Sequence, residues 1–395
     1  MNNFFNAIGV ADMEKVHSAM IAWILDDRND QMLHSTSSAN SQFTTFSLPI
    51  RSEFLCELFQ VKPIKQFKSI QTQIEWNNID IIVETEDRNG NKEIWVIENK
   101  LKSLEHQSKN NNGSFVWQTN KYEDIIVQNF PHQVAHYLLL SLGGDKAKSA
   151  SGHWLSSTYE SLYAIINNHL RNNPNTYSII DEYARTIEMM TSELGKFLGS
   201  NNLGKKYPHV LAKQKKALKK ILQRNGQITN QERYIIENGL ETIFQKQLLD
   251  KMIACFLPPI KDVVEYDERN GTAMFVYHVA FISDFKLSIE FQGGTYKVVV
   301  LHNDYSNSSS YVNTNRLYNN QNVRNVFNHL AIQNGWKVAI AKNLNQQNKQ
   351  PKPRIALDKN IGKDWYDNPN NAFVTVFHEA EKIADYIKKQ IKTIP

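Results

Sequence analysis

The sequence predicts an α/β fold for the first half of the chain, a mixed sheet flanked by helices, and an α+β fold with an antiparallel meander for the second. Three observations carry this. Between residues 1 and 200, helical periodicities bracket a group of strand-like runs. Four more strand-like runs lie between 262 and 302, with helical patterns on both sides. The polar, glycine-containing stretch GSNNLGKKYP, 199–208, separates the two groups and reads as a boundary. The expected domains are therefore 1–200 and 209–395.

In order along the chain, residues 11–27 form an amphipathic helix, with Met13, Val16, Met20, Ile21, Ile24 and Leu25 near helical spacing and Asp12 as its N-cap. Glu14, His17 and Ser18 share one face of it. A polar loop, 28–48, leads to a helix from Pro49 to Phe59 and a strand near 69–76. After a hairpin at 79–100 comes a loop, then a helix from Phe115 to Asn129 that sets Gln118 and Tyr122 on one face. HYLLLSL, 136–142, is a buried strand, followed by helices near 158–171 and 176–198. In the second half the pattern gives helices at 209–224 and 230–256, strands at 262–267, 273–282, 285–292 and 295–302, and helices at 321–335 and 373–392. NLNQQNKQPKPR, 343–354, reads as an exposed loop.

The hairpin carries the chemistry. Ile79–Val83 and Ile94–Ile97 flank a polar segment containing Asn89-Gly90, a strong hairpin signal. Asp80, Glu98 and Lys100 lie within or at the ends of these apolar runs, where an unpaired charge is expensive. Side chains alternate faces, so Glu98 and Lys100 share one face while Ile97 and Asn99 share the other. A two-residue Asn89-Gly90 loop would pair Asp80 with Asn99. A three-residue Arg88-Asn89-Gly90 loop, with Gly90 left-handed, pairs Asp80 with Glu98 and gathers two carboxylates and one ammonium on one face. That second register is the expectation.

Such a trio suits a magnesium-dependent phosphodiesterase. Mg²⁺ takes oxygen ligands, commonly one or two carboxylates completed by waters and phosphate oxygens. Asp80 and Glu98 would supply the carboxylates and the Asn99 backbone carbonyl a further oxygen. Lys100 would orient or help deprotonate the attacking water and stabilise the pentavalent transition state. The plainer reading is a partly exposed salt bridge between Lys100 and one carboxylate.

Asp80, seventeen residues, then Glu98-Asn99-Lys100 resembles the motif of the PD-(D/E)XK nuclease superfamily, with Ile79 where the motif has proline. The preceding helix carries Glu14-Lys15-Val16-His17-Ser18, similar to the E-x-x-H-S helix of a bacterial group of that superfamily. Gln118-Thr119-Asn120-Lys121-Tyr122 matches its Q-x-x-x-Y helix. The resemblance runs to about residue 200. It implies a restriction-endonuclease-like core and metal-dependent hydrolysis of nucleic acid, DNA in preference to RNA, with bacterial genome defence as the setting. It implies Asp80 and Glu98 as ligands of Mg²⁺ or Mn²⁺, Lys100 as the catalytic lysine, and Glu14 reaching the metal directly or through water. Gln118 and Tyr122 would support the site or contact the phosphate backbone. The stretch between Lys102 and Gln118 is longer than the group's pattern, so the placement of Gln118 is the weakest correspondence.

Other candidates are weaker. His17 either contacts a phosphate, holds Glu14, or is a capped core histidine facing the sheet. His132 and His136 lie four apart without a nearby carboxylate and read as packing residues. His302-Asn303-Asp304 only superficially suggests a metal site. The helix at 209–224 displays Lys213, Lys216 and Lys220 and either tracks a phosphate backbone or is simply a solvated helix face. Tyr296, Tyr305, Tyr311 and Tyr318 could stack on bases, although tyrosines more often line sheets and turns.

Composition bounds the rest. A net charge of +5 allows a nucleic-acid partner without requiring one. No stretch approaches the apolar length of a membrane span, and MNNFFNAIGVADMEK lacks a signal peptide's pattern, so a cytoplasmic protein is expected. The two cysteines, Cys56 and Cys255, lie in apolar surroundings and are expected to pack rather than pair. Absence of GxxxxGK[ST], HExxH and CxxC argues against a P-loop ATPase, a zinc protease and a zinc finger. The alternative in another class is a latent or inactive nuclease fold that binds nucleic acid or a protein. Cutting both strands would call for two sites, hence a homodimer.

Overall fold

The computed structural model describes residues 4–11, 13–29, 46–109, 115–171, 178–211, 228–269, 272–282, 285–302, 321–340, 354–362 and 364–391. The chain divides into two compact units: Met1–Lys196 with Asn238–Ile243, and Phe197–Glu237 with Phe244–Pro395.

The first unit is built on a mixed five-stranded sheet of order β1-β2-β3-β6-β7. Strands β1 (Phe67–Trp76), β2 (Ile79–Asp87) and β3 (Lys92–Lys100) form an antiparallel meander. β6 (Val134–Ser141) and β7 (Trp154–Thr158) continue it in parallel from β3. Parallel pairing of β3 and β6 needs a crossover, and helix α3 (Gln118–Asn129) supplies it. A small hairpin, β4 (Gln107–Lys109) with β5 (Phe115–Trp117), precedes α3. Hence α3 starts three residues later than the periodicity predicts.

The remaining helices of this unit are α1 (Glu14–Leu25), α2 (Leu48–Leu58), α4 (Tyr159–Ile166) and α5 (Ser178–Leu198). Proline in the first turn of α2 costs no helical hydrogen bond. Thr158 caps α4 by accepting from the Ser161 N–H at 3.0 Å. Tyr122 and Ile126 of α3 pack on Ile82, Ile94, Val96, Tyr137 and Leu139, which fill one face of the sheet. α1 packs on β1, β2 and β3, and Asn99 reaches it from the other face. β7 falls where the sequence predicts loop and helix. Five residues are too few for alternation to register.

The edge strand β1 is covered where a second sheet would otherwise add. Asp26 accepts from the Thr72 N–H at 3.0 Å and Asp27 from the Ile70 N–H at 2.8 Å. Arg28 donates to the Thr72 carbonyl at 2.6 Å. Three consecutive residues after α1 thus occupy backbone groups that would template another strand.

The second unit holds a six-stranded antiparallel sheet of order β12-β13-β11-β10-β9-β8. Its members are β8 (Val264–Arg269), β9 (Thr272–Ile282), β10 (Phe285–Gln292), β11 (Thr295–His302), β12 (Lys337–Ile340) and β13 (Arg354–Asn360). The predicted meander is present. β12 and β13 extend it where the sequence reading has no strands. A single helix is predicted over 230–256, but Asn238-Gly239 divides it into α6 (Asn230–Glu237) and α7 (Glu241–Phe256). Helices α8 (Gln321–Asn334) and α9 (Thr375–Ile391) follow the predicted spans within a few residues.

An aromatic cluster of Phe275, Phe291, Tyr296, Phe373 and Phe377 fills the core beneath α9. Tyr296 is fully buried, and its hydroxyl donates to the Phe373 carbonyl at 2.9 Å. It is therefore a core residue and cannot stack on a base. Tyr305, Tyr311 and Tyr318 lie outside the described residues. At the β10–β11 turn, Gly294 admits the Gly362 carbonyl so closely that any β-carbon would sit 2.0 Å from it. Cys56 is buried as predicted, while Cys255 is exposed; both are free thiols.

Candidate active site

The β2–β3 hairpin has the predicted register. Ile81 pairs with Ile97 and Glu86 with Lys92, and continuing that register sets Asp80 opposite Glu98. The turn is Arg88-Asn89-Gly90, with Gly90 at φ +82°, and the Asp87 carboxylate accepts from the Asn89 and Asn91 N–H groups at 2.8 Å each. Turn chemistry and side-chain parity thus agree on one face for Asp80, Glu98 and Lys100, the face that α3 covers.

Lys100 Nζ lies 2.7 Å from Glu98 Oε1, with both side chains almost wholly buried. One ammonium cannot neutralise two buried carboxylates, and the titration behaviour of all three follows from that excess. Burial, then the charge of Asp80, push Glu98 up to about 8, against the pull of Lys100. Burial also raises Asp80, although the Asn99 N–H and Lys100 oppose it. Burial alone would lower Lys100. The carboxylates of Glu98, Glu14 and Asp80 outweigh it and hold the ammonium charged.

The neighbours predicted from the first helix take defined places. Glu14 Oε1 accepts from the Leu101 and Lys102 N–H groups at 2.9 Å each, and from the Ser103 N–H at 3.3 Å. It therefore fixes the chain where it leaves β3, and one of its oxygens is committed to that task. Asn99 is fully buried and its side chain points away from Lys100, toward α1. His17 is 1% and Ser18 4% exposed, both on the α1 side of the sheet. His17 sits in the core: Nε2 pairs with the Ala11 carbonyl at 2.8 Å and Nδ1 with the Tyr183 hydroxyl at 3.3 Å. Burial removes both residues from phosphate contact. Ser18 Oγ accepts from Asn99 Nδ2 at 3.1 Å.

Gln118 and Tyr122 lie one turn apart on α3, as predicted. Gln118 Nε2 donates to the Tyr122 hydroxyl at 2.6 Å, and that hydroxyl donates to the Asn78 carbonyl beside β2. Burial, then the charge of Glu98, raise the Tyr122 phenol above its ordinary range, so it stays a neutral donor. Lys213, Lys216 and Lys220 lie outside the described residues.

Two residues near the site escape the sequence reading. Tyr159, at the start of α4, donates its hydroxyl to Asn99 Oδ1 at 2.7 Å. Partial burial, then the nearby charge of Lys100, lowers the His106 imidazole below its ordinary value. Each reaches the site through tertiary contact, and the spacing of neither residue signals it.

The residues fit a divalent cation. Both oxygens of Glu98 and Oε1 of Gln118 are buried without a well-directed hydrogen bond. These are oxygen donors, the kind Mg²⁺ and Mn²⁺ prefer, in a site with an excess of negative charge. Among the described residues no three His, Cys, Asp or Glu side chains converge as a ligand set. The carboxylates on offer are thus the pair Asp80 and Glu98.

A mixed sheet whose hairpin presents Asp…Glu-x-Lys on one face, flanked by helices, is the fold class of restriction-endonuclease-like nucleases. A family model described as the PD-(D/E)XK nuclease superfamily matches residues 2–185, the region that holds this sheet and hairpin. The superfamily is one of nuclease hydrolases, some members of which are inactive. No curated protein and no solved structure matches the chain.

Proposed function

We propose that the chain is a divalent-metal-dependent nuclease that hydrolyses phosphodiester bonds, with DNA as its substrate. The observation that carries this reading is the buried Asp80–Glu98–Lys100 constellation, in which a single ammonium, 2.7 Å from Glu98 Oε1, faces two buried carboxylates. Asp80 and Glu98 would hold Mg²⁺ or Mn²⁺. The ion would neutralise charge on the scissile phosphate and acidify water. Lys100 orients the attacking water and donates to the phosphoryl oxygens as negative charge builds on them. Its strongly charged state suits the donor role. Gln118 and Tyr122 hold the α3 side of the site, and Glu14 holds the backbone leaving β3.

The setting we propose is the cytoplasm of a bacterium, in defence against foreign DNA, with the second unit recognising substrate, ligand or partner and a homodimer presenting two sites. No helix among the described residues is long and apolar enough to cross a membrane, which is compatible with that setting. The test is incubation of the purified chain with supercoiled plasmid and with RNA, in Mg²⁺ or Mn²⁺ and in EDTA. Metal-dependent cleavage of plasmid supports the reading. No cleavage of either nucleic acid would leave the non-catalytic alternative.

A further inference from the structure

The proposed site faces α3, yet much of what fixes its geometry lies across the sheet. Asn99 joins the two sides. Its backbone N–H donates to Asp80 Oδ2 at 2.8 Å. Its side-chain Nδ2 donates to the Glu14 carbonyl at 3.0 Å and to Ser18 Oγ at 3.1 Å. Its Oδ1 accepts from the Tyr159 hydroxyl at 2.7 Å.

This arrangement admits one orientation of the amide. The Glu14 carbonyl only accepts, and the Ser18 hydroxyl commits its proton to that same carbonyl at 3.1 Å. The NH₂ group of Asn99 must therefore face α1, and its oxygen must face Tyr159. Tyr159 is itself immobilised. It is fully buried, and it packs edge-on against His17 with ring centroids 5.2 Å apart. His17 is in turn tied to Ala11 and Tyr183. A phenylalanine would fill the same space, so among the described residues what distinguishes the hydroxyl is its hydrogen bond to the Asn99 amide.

We propose that Tyr159 is a positioning residue for the nuclease site. Its hydroxyl orients Asn99, and Asn99 sets the relation between Asp80 on β2 and the first turn of α1, from which Glu14 gathers the Leu101, Lys102 and Ser103 N–H groups. This inference rests on the nuclease reading above and adds a residue that neither the motif nor the family match assigns. Losing the hydroxyl leaves Asn99 Oδ1 buried and unpaired, with the amide held from the α1 side alone.

The test compares full-length wild type, Tyr159→Phe, Asn99→Ala and the double variant. The readouts are kcat and KM on plasmid DNA, the Mn²⁺ concentration giving half-maximal rate, and the thermal midpoint. Tyr159→Phe is expected to lower kcat about tenfold, the factor carried by one ordinary hydrogen bond. It should raise the Mn²⁺ requirement and leave KM for DNA unchanged. Added to Asn99→Ala, it should change kcat no further, because it acts through that residue. Unchanged kcat and Mn²⁺ requirement in Tyr159→Phe overturn the inference whatever the thermal midpoint does. So does a double variant whose loss is the product of the single losses. If Tyr159→Phe does not accumulate folded, Ser18→Ala withdraws another Asn99 partner and must lower kcat in the same way; an unchanged kcat there overturns the inference. A wild type inactive on every nucleic acid with metal present overturns the nuclease reading and the inference together. A fall confined to the variant speaks for the inference alone.

Discussion

The Asn99 backbone N–H donates to Asp80 Oδ2 at 2.8 Å across the β2–β3 ladder. The strand that carries Glu98 and Lys100 therefore also aims the carboxylate opposite them. Asp80→Asn or Glu98→Gln keeps the side-chain shape but removes a charge that would hold the metal. In the wild type, adding Mg²⁺ or Mn²⁺ at a hundredfold excess over Kd should raise stability by about 2.7 kcal/mol, by mass action on the folded state. Thermal unfolding with and without EDTA measures this. The metal-dependent increment is expected to vanish in both variants. An increment that survives in them would place the ion elsewhere.

Tyr122→Phe removes a hydroxyl that accepts from Gln118 and donates to Asn78. The Gln118 amide then loses the hydroxyl that accepts from its Nε2. A fall in cleavage rate of about tenfold is expected, with the thermal midpoint moved only slightly, since one hydrogen bond is worth about 1 kcal/mol net. Gln118→Ala should give the same fall, and the two should not multiply.

Gly90→Ala tests the hairpin register without touching the site. A β-carbon there would meet nothing within 4 Å, so its cost is the left-handed backbone alone. That cost is about 1–2 kcal/mol. Denaturant unfolding should show this loss, while the cleavage rate of the folded fraction stays at the wild-type value.

Asp26 gives the pH dependence of the fold. Burial alone would raise its carboxyl, but hydrogen bonds from Arg28 and Thr72 outweigh burial and hold it below its ordinary 3.8. The folded chain therefore binds this proton less tightly than the unfolded chain. The stabilisation is complete above that ordinary value and is lost as pH falls through the lowered one. Asp26→Ala should cost about 2–3 kcal/mol at neutral pH, the worth of hydrogen bonds to a charged group. The gap between variant and wild type should close on acidification below about pH 4. A gap that stays constant into acid would contradict the ionic account.

What the sequence discloses and what it withholds divide by range. The hairpin register is legible because parity along a strand and the Asn89-Gly90 turn are local. So is the Gln118–Tyr122 pair, one helical turn apart. The role of Asn99 is half legible: its residue type fits the motif, but alternation alone cannot say that its side chain binds α1. Tyr159 is illegible, because it meets Asn99 sixty residues away in sequence. His17 and Ser18 are half legible, since the sequence leaves a core place for His17 open beside a polar role and only the packing decides. A polar stripe on an amphipathic helix looks exposed, yet here it is buried against the sheet and pairs within the core. β7 and β13 are too short or too polar for alternation to separate them from loops.

The most direct measurement is single-turnover cleavage of plasmid DNA at saturating Mg²⁺ by wild type, Asp80→Ala and Lys100→Ala. The account predicts EDTA-sensitive cleavage by the wild type and a loss of about 10²–10³ or more in each variant, the scale of removing one transition-state contact. Cleavage at the wild-type rate in both variants would contradict it.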